Sequence, residues 1–101
     1  MHYFLSWYKV ANFAQWQAAF EGNRPSQVAA GLKVEKIWQA AEDPSRIIVL
    51  FAIDNQAKTV AFLQSAELGA LMQAAGVLEA GGDFLNEIAA RPDSLSSASP
   101  Q

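Results

Sequence analysis

Cysteine is absent from this chain, so no disulfide framework, thiolate zinc site or thiol redox chemistry can be built from it. Histidine is nearly absent: His2 stands alone beside Met1, where an edge or frayed position suits it better than catalysis. Basic residues are few and dispersed, 7 Lys and Arg against 10 Asp and Glu for a net charge of −3, which excludes the clustered cationic groove that nucleic acids need. No apolar run approaches the roughly 20 residues that span a bilayer. Lys9 interrupts the apolar N-terminal stretch and no basic leader precedes it, so no signal peptide is read and a soluble cytoplasmic protein is expected. Gly-rich phosphate loops, a Ser-His-Asp order and paired carboxylates are missing too. Glu42-Asp43 and Glu87 lack the His or Cys companions of a transition-metal site, so neither metal nor cofactor is expected.

What the chain has is apolar surface: 51% hydrophobic against 17% charged residues over 101 positions, the composition of one globular domain. Ile47 to Ile53 is apolar at both parities, so a strand there must be covered on both faces. His2 to Val10 is a second strand of this kind, with Tyr3, Leu5 and Trp7 on one parity and Phe4, Tyr8 and Val10 on the other. Leu32 to Gln39 alternates better, with Leu32, Val34 and Trp38 against Lys33, Glu35 and Gln39, as an edge strand would.

Helical periodicity lies between these strands. Asn12 can cap a helix whose stripe is Phe13, Trp16 and Phe20. Gly22 and Arg24-Pro25 are expected to end it, and Ser26 to cap a short turn through Ala30. Ala41 to Ser45 reads as a hairpin loop. Asp54 or Asn55 caps the next helix, Ser65 recaps it, and Gly76-Val77 closes it with a left-handed residue. Gly81-Gly82 reads as a turn before a short last strand from Phe84 to Ile88. One domain over residues 1–90 and a flexible Pro- and Ser-rich tail over 91–101 complete the division.

The order strand, helix, strand, strand, helix, strand is the split βαβ, ferredoxin-like pattern: an α+β sandwich with antiparallel sheet order 4-1-3-2 and helices on one face. Its first and third strands are central, matching the two that are apolar on both faces. The second face then carries large side chains that nothing in this chain covers. At about 1.5 to 3 kcal/mol per fully buried side chain, their exposure is comparable with a small domain's whole stability, so a homodimer through the helix-free face is expected. Either Ile48, Leu50 and Ala52 or Ile47, Val49, Phe51 and Ile53 would meet the partner. Leu50→Asp should disrupt dimerisation or folding, and Ser96→Asp should do neither.

The run Lys9-Val10-Ala11-Asn12-Phe13-Ala14-Gln15-Trp16, with Gly31-Leu32, Asp43-Pro44, Val49-Leu50-Phe51, Asp54, Ala57, Phe62, Ser65, Leu68, Met72 and Ala75-Gly76-Val77, resembles the small bacterial dimeric α/β-barrel proteins. These are grouped with antibiotic-biosynthesis monooxygenase-like and cyclase-like proteins, and the resemblance spans nearly everything before the tail. It implies a cleft lined by first-strand residues, between helices and sheet or between paired sheets, and a small hydrophobic or aromatic ligand. In similar sequences a histidine often precedes the Lys-Val pair. Here that position is Tyr8, which at an ordinary pKa near 10 suits hydrogen bonding or stacking better than proton abstraction.

Monooxygenase-type relatives place Asn and Trp around an aromatic substrate, which makes Asn12 and Trp16 candidates beside Tyr8 and Trp38. Each has a plainer reading: a cap for Asn12, core for Trp16, a dimer contact for Trp38. Arg24 and Glu35 suit solvated surface better than an anchoring role. Two functions follow. One is a non-catalytic dimeric module that binds a small ligand or simply assembles. The other is a cofactor-independent monooxygenase, isomerase or cyclase acting on a small aromatic or polyketide-like metabolite, by orientation and a few hydrogen bonds.

Overall fold

A computed structural model describes residues 2–88. The tail expected over 91–101, Ser96 in it, and the domain's end at residue 90 lie outside the described residues. Strand β1 (His2–Val10) leads through helices α1 (Phe13–Gly22) and α2 (Arg24–Ala29) into the hairpin of β2 (Leu32–Ala40) and β3 (Asp43–Ile53). Helices α3 (Gln56–Leu63) and α4 (Ala66–Ala74) then return the chain to β4 (Val77–Asn86). The sheet is antiparallel throughout in the order β2-β3-β1-β4, the ferredoxin-like arrangement, with the two doubly apolar strands at its centre.

Burial separates the two faces. Ile47, Val49, Phe51 and Ile53 alternate as buried residues along β3, and with Phe4, Val10 and Leu32 they form the core under the helices. Ile48, Leu50 and Ala52 point to the opposite face, where they are only half-buried. The helices begin as their caps dictate: the side chain of Asn12 accepts from Gln15 N, Asn55 from Lys58 N and Ser65 from Leu68 N, each filling an orphan donor of a first turn. Gly76, at φ 74°, ends α4 in the left-handed conformation.

Four local expectations are corrected. Arg24-Pro25 begins α2 rather than ending α1, because proline lacks only an N–H that the first turn leaves unpaired anyway; Asn23 precedes the helix in the place expected of Ser26. The hairpin turn is confined to Ala41-Glu42, and Asp43-Pro44 already belongs to β3; Asp43 Oδ1 accepts from Ser45 N and Oγ at 3.1 and 2.6 Å, which fixes the strand's start. Glu35 is an extra residue in β2: Val34 pairs with Phe51 and Lys36 with Leu50, so this bulge turns Trp38 onto the face opposite Leu32 and Val34. The fourth correction concerns Gly81 and Gly82, which lie inside β4, opposite Trp7 and Ser6, rather than in a turn before it. A Cβ on Gly81 would sit 2.6 Å from Trp7 Nε1, and one on Gly82 would strike the Phe4 ring. Glycine stands there because aromatic rings of β1 lie across the backbone of β4.

Candidate functional site

A cavity of about 410 Å³ lies between the helices and the sheet. Its floor comes from Phe4, Ser6 and Tyr8 of β1, Phe51 of β3 and the stretch Ala80 to Gly82 with Phe84 of β4. Its roof comes from Phe20, Phe62, Leu68, Leu71 and Met72, with Asn23 and Gln27 at the start of and within α2. The sequence explains why space remains. Ala80, Gly81 and Gly82 present almost no side chain, and α4, which buries none of its own residues completely, lays Leu68, Leu71 and Met72 over them.

The walls are apolar and aromatic. Phe20 packs on Trp16 and Phe51 with ring centroids 4.8 and 6.2 Å away, and Phe4 on Phe84 at 5.1 Å. Among the described residues that line the cavity none carries a charged side chain. Its polar atoms belong to Ser6, Tyr8, Asn23 and Gln27. Ser6 Oγ donates to Tyr8 Oη at 3.0 Å and also lies 3.4 Å from the Val49 carbonyl; a hydroxyl carries one hydrogen, so the shorter contact leaves the Tyr8 O–H able to donate into the cavity. Burial pushes the Tyr8 phenol above its ordinary value of 10.0, opposed only in part by the Ser6 hydrogen bond. Tyr8 is therefore a neutral donor at physiological pH and not a base.

The four sequence candidates part company. Tyr8 lines the cavity. Trp16, 3% exposed, stands behind Tyr8 with ring centroids 5.7 Å apart, as a support of the wall. Asn12 caps α1 and is exposed, and Trp38 lies 43% exposed on the helix-free face. Reading the sequence passed over Ser6, Gln27 and Met72. A signal for Gln27 exists: Trp16, Phe20, Asn23, Gln27 and Ala30 follow one another at offsets of four and three, so the stripe of α1 continues through α2 and turns polar at the cavity. Among the described residues no cluster of three or more His, Cys, Asp or Glu could hold a metal ion, and no helix is long and apolar enough to cross a membrane.

Solved structures share this ferredoxin-like architecture. A Bordetella bronchiseptica protein assigned as an antibiotic biosynthesis monooxygenase superposes with a TM-score of 0.71 over 87% of this chain and 97% of its own, at 18% identity. A variant of SnoaB, a cofactor-independent oxygenase from Streptomyces nogalater, gives 0.70 over 90% and 96%, at 9% identity. An uncharacterized NIPSNAP domain protein from Burkholderia xenovorans gives 0.65 over 92% and 100%, at 12% identity. At such identities the likeness is one of fold. No family model and no curated protein matches the sequence.

Proposed function

We propose that this protein is a homodimeric small-ligand-binding module whose ligand occupies the cavity between helices and sheet. The observation that carries this reading is the cavity itself: about 410 Å³ of largely apolar space with a small group of polar atoms, which is the usual make-up of a small-molecule site. The experiment is a calorimetric titration with 2-naphthol and 2-methoxynaphthalene against the wild type and Ala80→Trp, whose indole would fill the cavity beside β4. Saturable binding to the wild type and its loss in the folded variant support the reading. Equal binding by both proteins, or none by the wild type, contradicts it.

The dimer would form through the helix-free face. Trp38, Ile48 and Trp7 make one row across it and Lys36, Leu50, Leu5 and Asp83 the next, with both tryptophans more than a third exposed. With strands about 4.8 Å apart rising about 3.4 Å per residue, the face measures roughly 19 by 34 Å, or about 650 Å² in projection, so an interface of the usual ~800 Å² per partner would use the whole face and its rim. Its rim is also self-complementary. Lys33 and Lys36 lie on β2 at one edge, Glu79 and Asp83 on β4 at the other. A twofold axis along the strands would set each copy's basic edge against the other's acidic one, whereas an axis across the strands would set like charges together.

The second reading, a cofactor-independent oxygenase, isomerase or cyclase acting on a small aromatic or polyketide-like metabolite in the same cavity, is favoured by the shared fold with SnoaB. Tyr8, held neutral by burial, could orient such a substrate but not deprotonate it. Oxygen uptake and product analysis on mixing protein with a bound, electron-rich naphthol separate the readings: sustained consumption supports an oxygenase, a rearranged or cyclised product without consumption supports an isomerase or cyclase, and naphthol recovered unchanged supports binding alone.

A further inference from the structure

Gln27 is 7% exposed and lines the cavity, yet its Oε1 has no hydrogen-bond partner among the described residues. Buried amide oxygens are almost always paired with protein or ordered water, so an unpaired one on a residue that lines a cavity marks where a molecule taken into that cavity can supply the donor once the amide turns toward it. Neither folding nor capping accounts for a glutamine here. Asn23, not Gln27, stands at the N-cap position of α2, and the bond between Gln27 N–H and the Asn23 carbonyl is one that any residue but proline would make. An apolar residue would continue the stripe of Phe20 and Ala30 without leaving a polar atom unpaired. The rest of the lining narrows the partner further. With no charged side chain in the walls, a carboxylate or ammonium would enter uncompensated, while the aromatic surfaces suit an apolar body.

We infer that Gln27 is a specificity-determining residue of the cavity, its Oε1 accepting a hydrogen bond from the hydroxyl or N–H of a neutral, otherwise apolar ligand. This rests on the reading of the cavity as a ligand site. Tyr8, across the same cavity with its O–H free, supplies a donor for an oxygen of that ligand, so the two residues together recognise a molecule carrying both a donor and an acceptor.

The test titrates 2-naphthol, 2-methoxynaphthalene and 2-naphthoate into the wild type and Gln27→Met, an unbranched apolar replacement of similar length. The wild type should bind the naphthol about tenfold more tightly than its methyl ether, against the order of their hydrophobicity, and the naphthoate more weakly still. Gln27→Met should bring the first ratio to within about twofold and leave the ether's affinity unchanged. If that variant does not fold, the Gln27 side-chain amide resonances of the wild type serve instead: they should shift with the naphthol and stay with the ether. Equal affinities in the wild type, or a preference that survives Gln27→Met, would overturn the role of Gln27 while leaving the cavity a ligand site. Failure of every probe to bind the folded wild type would overturn both.

Discussion

Thr59 is fully buried and its Oγ1 donates to the Ala30 carbonyl at 2.7 Å, tying the first helix of one crossover to the residue that caps the end of α2 in the other. Thr59→Val keeps the shape and leaves that carbonyl unpaired, so it should lower stability in urea unfolding by about 1 to 3 kcal/mol, while Thr59→Ser retains more of it. Tyr8 and Tyr3 make a second residue-scale prediction. Burial raises the first, and a hydrogen bond at 3.0 Å to Glu87, helped by that carboxylate's charge, raises the second. A phenol whose folded value lies above its unfolded one stabilises the fold fully below pH 10 and loses that contribution as the pH rises through the folded value. Ultraviolet titration should therefore show less than half of the tyrosine ionised at pH 10, where free tyrosine is half ionised, and Tyr8→Phe should remove one of the two transitions.

The glycines of β4 set the element scale. Gly82→Val would press on the Phe4 ring and should destabilise the protein by about 1 to 3 kcal/mol through overpacking. Gly69, in the middle of α4 with open space around it, should behave in the opposite sense: Gly69→Ala is expected to stabilise by roughly 0.5 to 1 kcal/mol, and thermal melts of the two variants compare them directly. These positions also mark how far the chain could be read. The central strands were legible because Ile47 to Ile53 and His2 to Val10 are apolar at both parities, a property of each strand alone. The face that Trp38 occupies was not, because the bulge at Glu35 exists only in the pairing of β2 with β3. Gly81-Gly82 reads as a turn for the same reason: its close approach to Trp7 and Phe4 comes from a strand some seventy residues earlier. Of the site, Tyr8 was legible through its strand, whereas Gln27 acquires meaning only when α2 is laid over the cavity.

At the scale of the whole molecule, one sheet supports two different surfaces. Its helix-covered side leaves a cavity of about 410 Å³ and its open side presents Trp7 and Trp38 to solvent or to a second copy. Leu50→Asp, at the centre of the open face, should convert a dimer to a monomer in sedimentation at micromolar concentration. Lys36→Glu should weaken the dimer and Lys36→Glu with Asp83→Lys should restore it; restoration would fix the twofold axis along the strands, and a wild type that sediments as a monomer would contradict the interface. The ligand site has a more direct reporter. The chain has two methionines, Met1 and Met72, and Met72 lines the cavity. With the methionine methyls labelled with carbon-13, titrating 2-naphthol should move the Met72 signal saturably and leave that of Met1 in place; a Met72 methyl unmoved at saturating naphthol contradicts a ligand site there.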